Sequence, residues 1–185
     1  GPGHVLGDII ASEVIPVVAL TDIHRQARAS RIVTSAHAVN AGRMPVLGAP
    51  GEESDFYFVE RSTPEQTRDT IIQLVAERIP GRFALDPVGD IQVLTPMHRG
   101  AAGADELNRA LQATLNPGKA ELVRGNRAYR LHDKVMQIRN NYDKEVFNGD
   151  VGRITALADG GQEVEVTYDG RRVPYAPDEL DEIVS

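Results

Sequence analysis

Residues 134–154 read KVMQIRNNYDKEVFNGDVGRI, and the places where this run breaks decide the architecture around it. Val135, Met136 and Ile138 open it as an apolar strand. It turns at Arg139, Asn140, Asn141, Tyr142 and Asp143, and again at Asn148, Gly149 and Asp150, before the next apolar run. Asn explains both turns, because its side chain bonds nearby backbone and tolerates the left-handed region. Turn chemistry does not call for Arg139, Tyr142, Lys144 and Phe147 alongside. Cations and rings at one edge suit phosphates and unpaired bases. Two readings therefore stand here: a solvated pair of turns, and a nucleic-acid contact.

Toward the C-terminus the period is two. The runs DKVMQIR, VGRITALA, EVEVTYD and RRVPYA predict four short strands. Asp159, Gly160 and Gly161 mark one hairpin turn, and Asp169 with Gly170 marks a second, of the two-residue kind that matches strand twist. A small antiparallel barrel of the SH3 type over residues 121–185 fits this spacing.

Toward the N-terminus helix and strand alternate. Val5, Leu6, Ile9 and Ile10 have helical spacing, as do Ile32, Val33, Ala36 and Val39 ahead of a stop at Gly42. A third helix starts at a Thr63 cap with Pro64 in its first position and Gln66 closing a capping box, and it ends at Pro80 and Gly81. A fourth covers GADELNRALQATLN. Between them VIPVVAL, DFYFVE and DIQVLTP read as strands. This order predicts an α/β fold over residues 1–120, a partial parallel sheet with flanking helices, joined to the small all-β barrel.

Composition bounds the function. The chain has 185 residues, 41% hydrophobic and 25% charged, enough for a core and a hydrated surface. No run nears the ~18 apolar residues of a membrane helix. The opening GPGHVLGDII lacks the basic start of a signal peptide. Zero Cys excludes disulfides and thiolate metal sites and fits a reducing compartment. The net charge of −7 excludes a wholly basic nucleic-acid surface. Its distribution is uneven: residues 121–153 carry seven Lys/Arg against five Asp/Glu, and residues 154–185 carry two against eight. A locally basic stretch in an acidic chain is compatible with phosphate contact.

Complete catalytic motifs are missing. The phosphate loop G-x-x-x-x-G-K-[ST] does not occur; Gly118 and Lys119 are followed by Ala120, with Ala113 where the first Gly belongs. His4, His24, His37, His98 and His132 show no ligand spacing, so no metal site is assigned. Two strand ends invite attention, because open α/β sheets gather ligands there. Arg25 follows one, where, taken alone, a salt bridge or a helix-flanking Arg explains it better than a phosphate does. Thr95 and Pro96 follow another, where Thr95 and nearby N–H groups suit a phosphate and an ordinary strand-to-helix turn suits them too.

Taken together, GPGHVLGDIIAS, VVALTDIHRQARASRIVTSAHAVNAGRMP, DFYFVE, DIQVLTPMHRGAAGADELNRALQATLNP, DKVMQIRNNYDKEVFNGDVGRI and VPYAPDELDEIV resemble, in order, the bacterial RecD-like DNA helicases of superfamily 1 that move 5′ to 3′ on single-stranded DNA. The resemblance implies a C-terminal-half fragment, with residues 1–120 part of the second RecA-like domain and 121–185 an SH3-like inserted subdomain. The ATP-binding motifs would lie before Gly1, and further sheet strands after Ser185. The parent would use ATP and Mg²⁺, and this piece alone would be inactive. Arg25 would reach the γ-phosphate of ATP held on the first RecA-like domain, with Gln26 beside it in the nucleotide site. Thr95 and Pro96 would meet the DNA backbone, and Arg139, Asn140, Asn141, Tyr142, Lys144, Asn148 and Gly149 would line the single-strand path. A bacterial cytoplasmic, nucleoid-associated location follows from the same resemblance. The opposing reading is a non-catalytic nucleic-acid- or protein-binding module built on an SH3-like barrel. A third is a structural scaffold that binds a partner protein through the acidic C-terminal strands.

Overall fold

Hydroxyl caps start two of the helices in the computed structural model, which describes residues 4–19, 30–48, 52–118, 122–125, 127–157 and 163–185. Ser30 Oγ accepts from Val33 N at the head of α2 (Arg31–Asn40). Thr63 Oγ1 accepts from Gln66 N at the head of α3 (Pro64–Gln73), where Pro64 has no N–H to leave unpaired. Gln66 Oε1 accepts from Ser62 N at 3.2 Å, one residue before the bond a standard capping box makes.

The chain divides into two compact units, Gly1–Glu60 and Arg61–Ser185. The first holds α1 (Val5–Ala11) and α2. Asp55 fastens the head of α2: its carboxylate accepts from Arg31 N at 2.9 Å and from the Ser30 hydroxyl. The Ser30 bond holds the Asp55 carboxyl below its ordinary value, and the helix N-terminus favours the same charge.

The predicted strands of the α/β part join no ladder among the described residues. Residues 14–19, 55–60 and 90–96 have no ladder partner, and no parallel sheet forms among the described residues. Val14, Val18 and Leu94 stand more than four-fifths exposed. A parallel strand needs neighbours on both edges and cover on both faces. Apolar, β-branched composition marks a candidate strand but supplies neither.

The second unit begins with a helix longer than its sequence predicts. The chain passes from α3 through a π-helical turn, Leu74–Arg78, into α4 (Ile79–Phe83) and stops at Ala84 in the left-handed region. Pro80 and Gly81 therefore lie inside the helix. The wider turn explains this: Ile79 N reaches Leu74 O, five residues back, just ahead of a proline ring that would press on the carbonyl four residues before it. α5 (Ala104–Leu115) follows.

The remaining chain curls into an antiparallel half-barrel. β1 (Leu122–Arg124) pairs with β2 (Arg127–Tyr129). A five-stranded sheet has the order β6-β5-β4-β3-β7, with β3 Lys134–Gln137, β4 Val151–Leu157, β5 Val164–Tyr168, β6 Arg171–Tyr175 and β7 Ile183–Val184. β3 to β6 are the four predicted strands; β7 and the β1–β2 hairpin are additional. Inward residues make one core: Tyr129, Val135, Ile154, Val166, Tyr175 and Ile183 are each 1% exposed or less. A register shift in β4 between Ile154 and Ala156 adds curl. The Asp169 and Gly170 turn has φ of 46° and 83°, the two positive values that a tight twisted hairpin requires. The predicted turn at Asp159, Gly160 and Gly161 lies outside the described residues. At Gly152 a Cβ would sit 2.6 Å from Val166 Cγ1 and 2.8 Å from Tyr168 Cδ1, so only glycine fits the crossing of β4 over β5. The β6 edge carries Pro174, which removes a donor from an open strand.

Candidate nucleic-acid interface

The loop at residues 139–150 is fixed turn by turn. It closes on β3, where Gly149 N donates to Gln137 O and Gln137 N to Asp150 O, both at 2.8 Å. Inside it Asn141 and Val146 exchange both backbone bonds, at 2.8 and 3.0 Å, and the Val146 side chain is fully buried. Side chains fill the corners. Asn141 Oδ1 accepts from Lys144 N at 3.1 Å, Asn140 Oδ1 from Asn148 N at 2.9 Å, and Asp150 Oδ2 from Phe147 N at 2.8 Å. Asn140 and Asn141 thus act as side-chain acceptors. The left-handed positions fall on Glu145 and Gly149 (φ 52° and 98°).

A buried polar chain holds the loop from below. Tyr168 and Tyr175 hydroxyls lie 3.0 Å apart, and Tyr175 donates to Gln137 Oε1 at 2.7 Å. Gln137 Nε2 and Asn141 Nδ2 both donate to Glu182 Oε2, at 3.1 and 3.0 Å. Burial pushes the Tyr175 hydroxyl far up, so it stays a donor. Glu182 closes the 3₁₀ helix Pro177–Glu182, and that helix also supplies Glu179.

Lys144 serves this support and not the outer surface. Its Nζ meets Glu179 Oε2 and Pro174 O, each at 2.5 Å, and lies 4.6 Å from the Tyr175 ring centre. Only 19% of its side chain is exposed. Lys144 first, and then the Ala176 N–H, holds the Glu179 carboxyl below its ordinary value. Beside it Arg171 Nη1 donates to Lys144 O at 2.7 Å, tying the loop to β6.

What the loop offers to solvent is aromatic and cationic. Tyr142 is 74% and Phe147 44% exposed, and their rings meet edge to face at 5.9 Å and 74°. Arg139, Asn140, Asn148 and Gly149 are exposed. Arg139 has no hydrogen-bond or ion-pair partner among the described residues. Phe147 joins the ring pair through spacing that the sequence already displays. Gln137 and Glu182, which the sequence reading missed, had one signal: Gln137 shares strand parity with Val135, a polar side chain on the inward face.

The other candidates stand separately. Thr95 is half-buried, and its hydroxyl donates to Ala102 O at 2.9 Å inside the loop that feeds α5; Pro96 is exposed. Ala104 N and Asp105 N donate to Met97 O and His98 O, at 2.9 and 3.2 Å. Arg25 and Gln26 lie outside the described residues.

Comparison with known proteins bears on this geometry. Residues 107–168 match the family model of the SH3 domain of ATP-dependent RecD-like DNA helicases. The chain is 32% identical over 169 residues to the ATP-dependent RecD2 DNA helicase of Deinococcus radiodurans, covering 91% of this chain. It is 29% identical over 123 residues to the RecBCD enzyme subunit RecD of Mycolicibacterium smegmatis, covering 63% of this chain. It spans 22% of the length of each of these relatives. The solved structure of unliganded Pif1 from Bacteroides sp aligns with 34% of this chain and 18% of its own, at 28% identity and a TM-score of 0.25. A matched SH3 domain within a likeness that runs along most of the sequence makes the chain a RecD-like helicase fragment.

Proposed function

We propose that this chain is part of an ATP-dependent helicase that translocates on single-stranded DNA, and that the loop at 139–150 is one wall of its DNA path. The observation that carries the reading is the Tyr142 and Phe147 ring pair, held out in solvent by a loop whose turns are all bonded from beneath. Ordering two large apolar rings away from the core returns no burial energy. A base stacked on them does, at about 1–3 kcal/mol per base. Arg139, which has no partner among the described residues, supplies a cation for the backbone, and Asn140 and Asn148 are exposed in the same loop. Gly149 keeps this rim free of a side chain. Asn141 and Lys144 act from behind, shaping the loop. Thr95 and Pro96 form a second contact, at the head of α5.

In the longer protein residues 1–120 are part of a RecA-like domain. The exposed apolar runs at 14–19 and 90–96 support this, since each has the composition of a buried parallel strand. Arg25, with Gln26, faces the γ-phosphate of ATP and Mg²⁺ bound by the first RecA-like domain, where a guanidinium stabilises the charge that develops in phosphoryl transfer.

Fluorescence anisotropy of a labelled oligothymidine tests the DNA reading on the 185-residue chain. Affinity falls as salt rises, and Tyr142→Ala weakens it by about 1–3 kcal/mol. Binding that ignores Tyr142→Ala and Phe147→Ala alike returns the loop to a solvated turn.

A further inference from the structure

The barrel and α5 meet through a buried carboxylate that the DNA reading leaves without a role. Asp133, 4% exposed, sits at the turn into β3. Its Oδ2 accepts from Gln112 Nε2 at 2.6 Å and from Arg130 N at 2.7 Å; its Oδ1 accepts from Asn116 Nδ2 at 2.8 Å. Gln112 and Asn116 are four apart, so they project from one face at the C-terminal end of α5. The same two amides also donate to Ala128 O and Leu131 O, at 2.6 and 2.9 Å. In return Arg130 Nη1 donates to Asn116 O at 2.5 Å, a cation at the negative end of the helix. Every donor aimed at the carboxylate is an N–H, and only an acceptor with two open oxygens satisfies all three.

We infer that Asp133 is a positioning residue that locks α5 to the barrel and thereby fixes the loop at 95–103 relative to the loop at 139–150. Each loop is bound tightly to one end of this linkage. The first is fastened to the opening turn of α5 by the bonds from Ala104 and Asp105 to Met97 and His98. The second closes on Gln137, four residues beyond Asp133 at the far end of β3. The Asp133 carbonyl also accepts from Ile154 N at 2.9 Å, which ties the socket to β4. Loop, helix, carboxylate, strand and second loop form one continuous bonded path. Its consequence for DNA, two contacts kept in one register, rests on the function proposed above; the mechanical coupling does not.

The chain has no Cys, so Met97→Cys with Asp143→Cys gives one pair of spin labels, one on each loop. Electron–electron resonance without DNA yields a single narrow distance in the otherwise unaltered 185-residue chain. Asp133→Asn, which turns an amide donor toward other donors, broadens it. Gln112→Ala with Asn116→Ala broadens it equally and substitutes no barrel residue, so it decides the matter should Asp133→Asn not fold. Slow amide exchange at Val166 and Tyr168 in that double variant shows the barrel intact. A narrow, unchanged distance in the double variant overturns the inference, as does a broad distance before any socket residue is altered. Oligothymidine affinity, read on the same samples, falls with the coupling. An absence of DNA binding alongside a coupling that behaves as stated counts against the proposed function alone.

Discussion

Lys144 turns its charge inward. Its ammonium lies between Glu179, the Pro174 carbonyl and the Tyr175 ring, so its worth is measured in stability. Glu179 is still 32% exposed, and solvent screening holds the pair to roughly 1 kcal/mol. The folded Glu179 carboxyl lies below its ordinary value. The pair therefore stabilises fully above the unfolded value, and that contribution is lost as pH falls through the lower folded one. Glu179→Gln accordingly lowers Tm at neutral pH, and its gap to the parent closes below about pH 4.3; thermal melts across that range check it. The inward role of Lys144 was not legible in the sequence, because its partner lies 35 residues further on. A basic residue among turn residues reads as a phosphate contact until the fold brings up a carboxylate. Tyr142 stands out in the sequence as a ring that no turn requires, and the fold leaves it 74% exposed.

At the scale of elements, local chemistry was readable and pairing at a distance was not. The cap at Thr63, the Asp169 and Gly170 turn and the alternation in β5 are all written within a few residues. β7 has two residues, too few to carry a period, and it is defined only by its pairing with β3. The helix through Pro80 was misread because a π-helical turn depends on hydrogen-bond geometry that composition does not encode. The three apolar runs that join no ladder among the described residues mark the limit of the same logic: a strand is completed only by its neighbours. Gly152 gives an element-scale test. Gly152→Ala forces a methyl against Val166 and Tyr168 at 2.6 and 2.8 Å, an overpacking that costs about 1–3 kcal/mol. The urea midpoint of the 185-residue chain drops with little change in slope, whereas an unchanged midpoint means β4 and β5 separate at no cost.

At the scale of the molecule, the proposed function assigns the barrel's exposed rings to DNA and the α/β segment to an ATP cleft. The cleft half makes its own prediction in the longer protein. Arg25→Ala there reduces kcat by about 10³-fold or more, with nucleotide affinity less affected, as steady-state ATPase rates and nucleotide titration measure. Near-normal turnover makes Arg25 a structural cation. The 185-residue chain, with no phosphate loop in its sequence, turns over no ATP in the same assay. The central claim is that the loop at 139–150 touches single-stranded DNA through its outer face, and it is tested most directly by following backbone amide shifts of the labelled chain during titration with a short oligothymidine. The account predicts shifts that saturate together at Arg139, Asn140, Tyr142, Phe147, Asn148 and Gly149, with a second set around Thr95, all weakening as salt rises. Shifts scattered over exposed Lys and Arg elsewhere, with the loop silent, would contradict it.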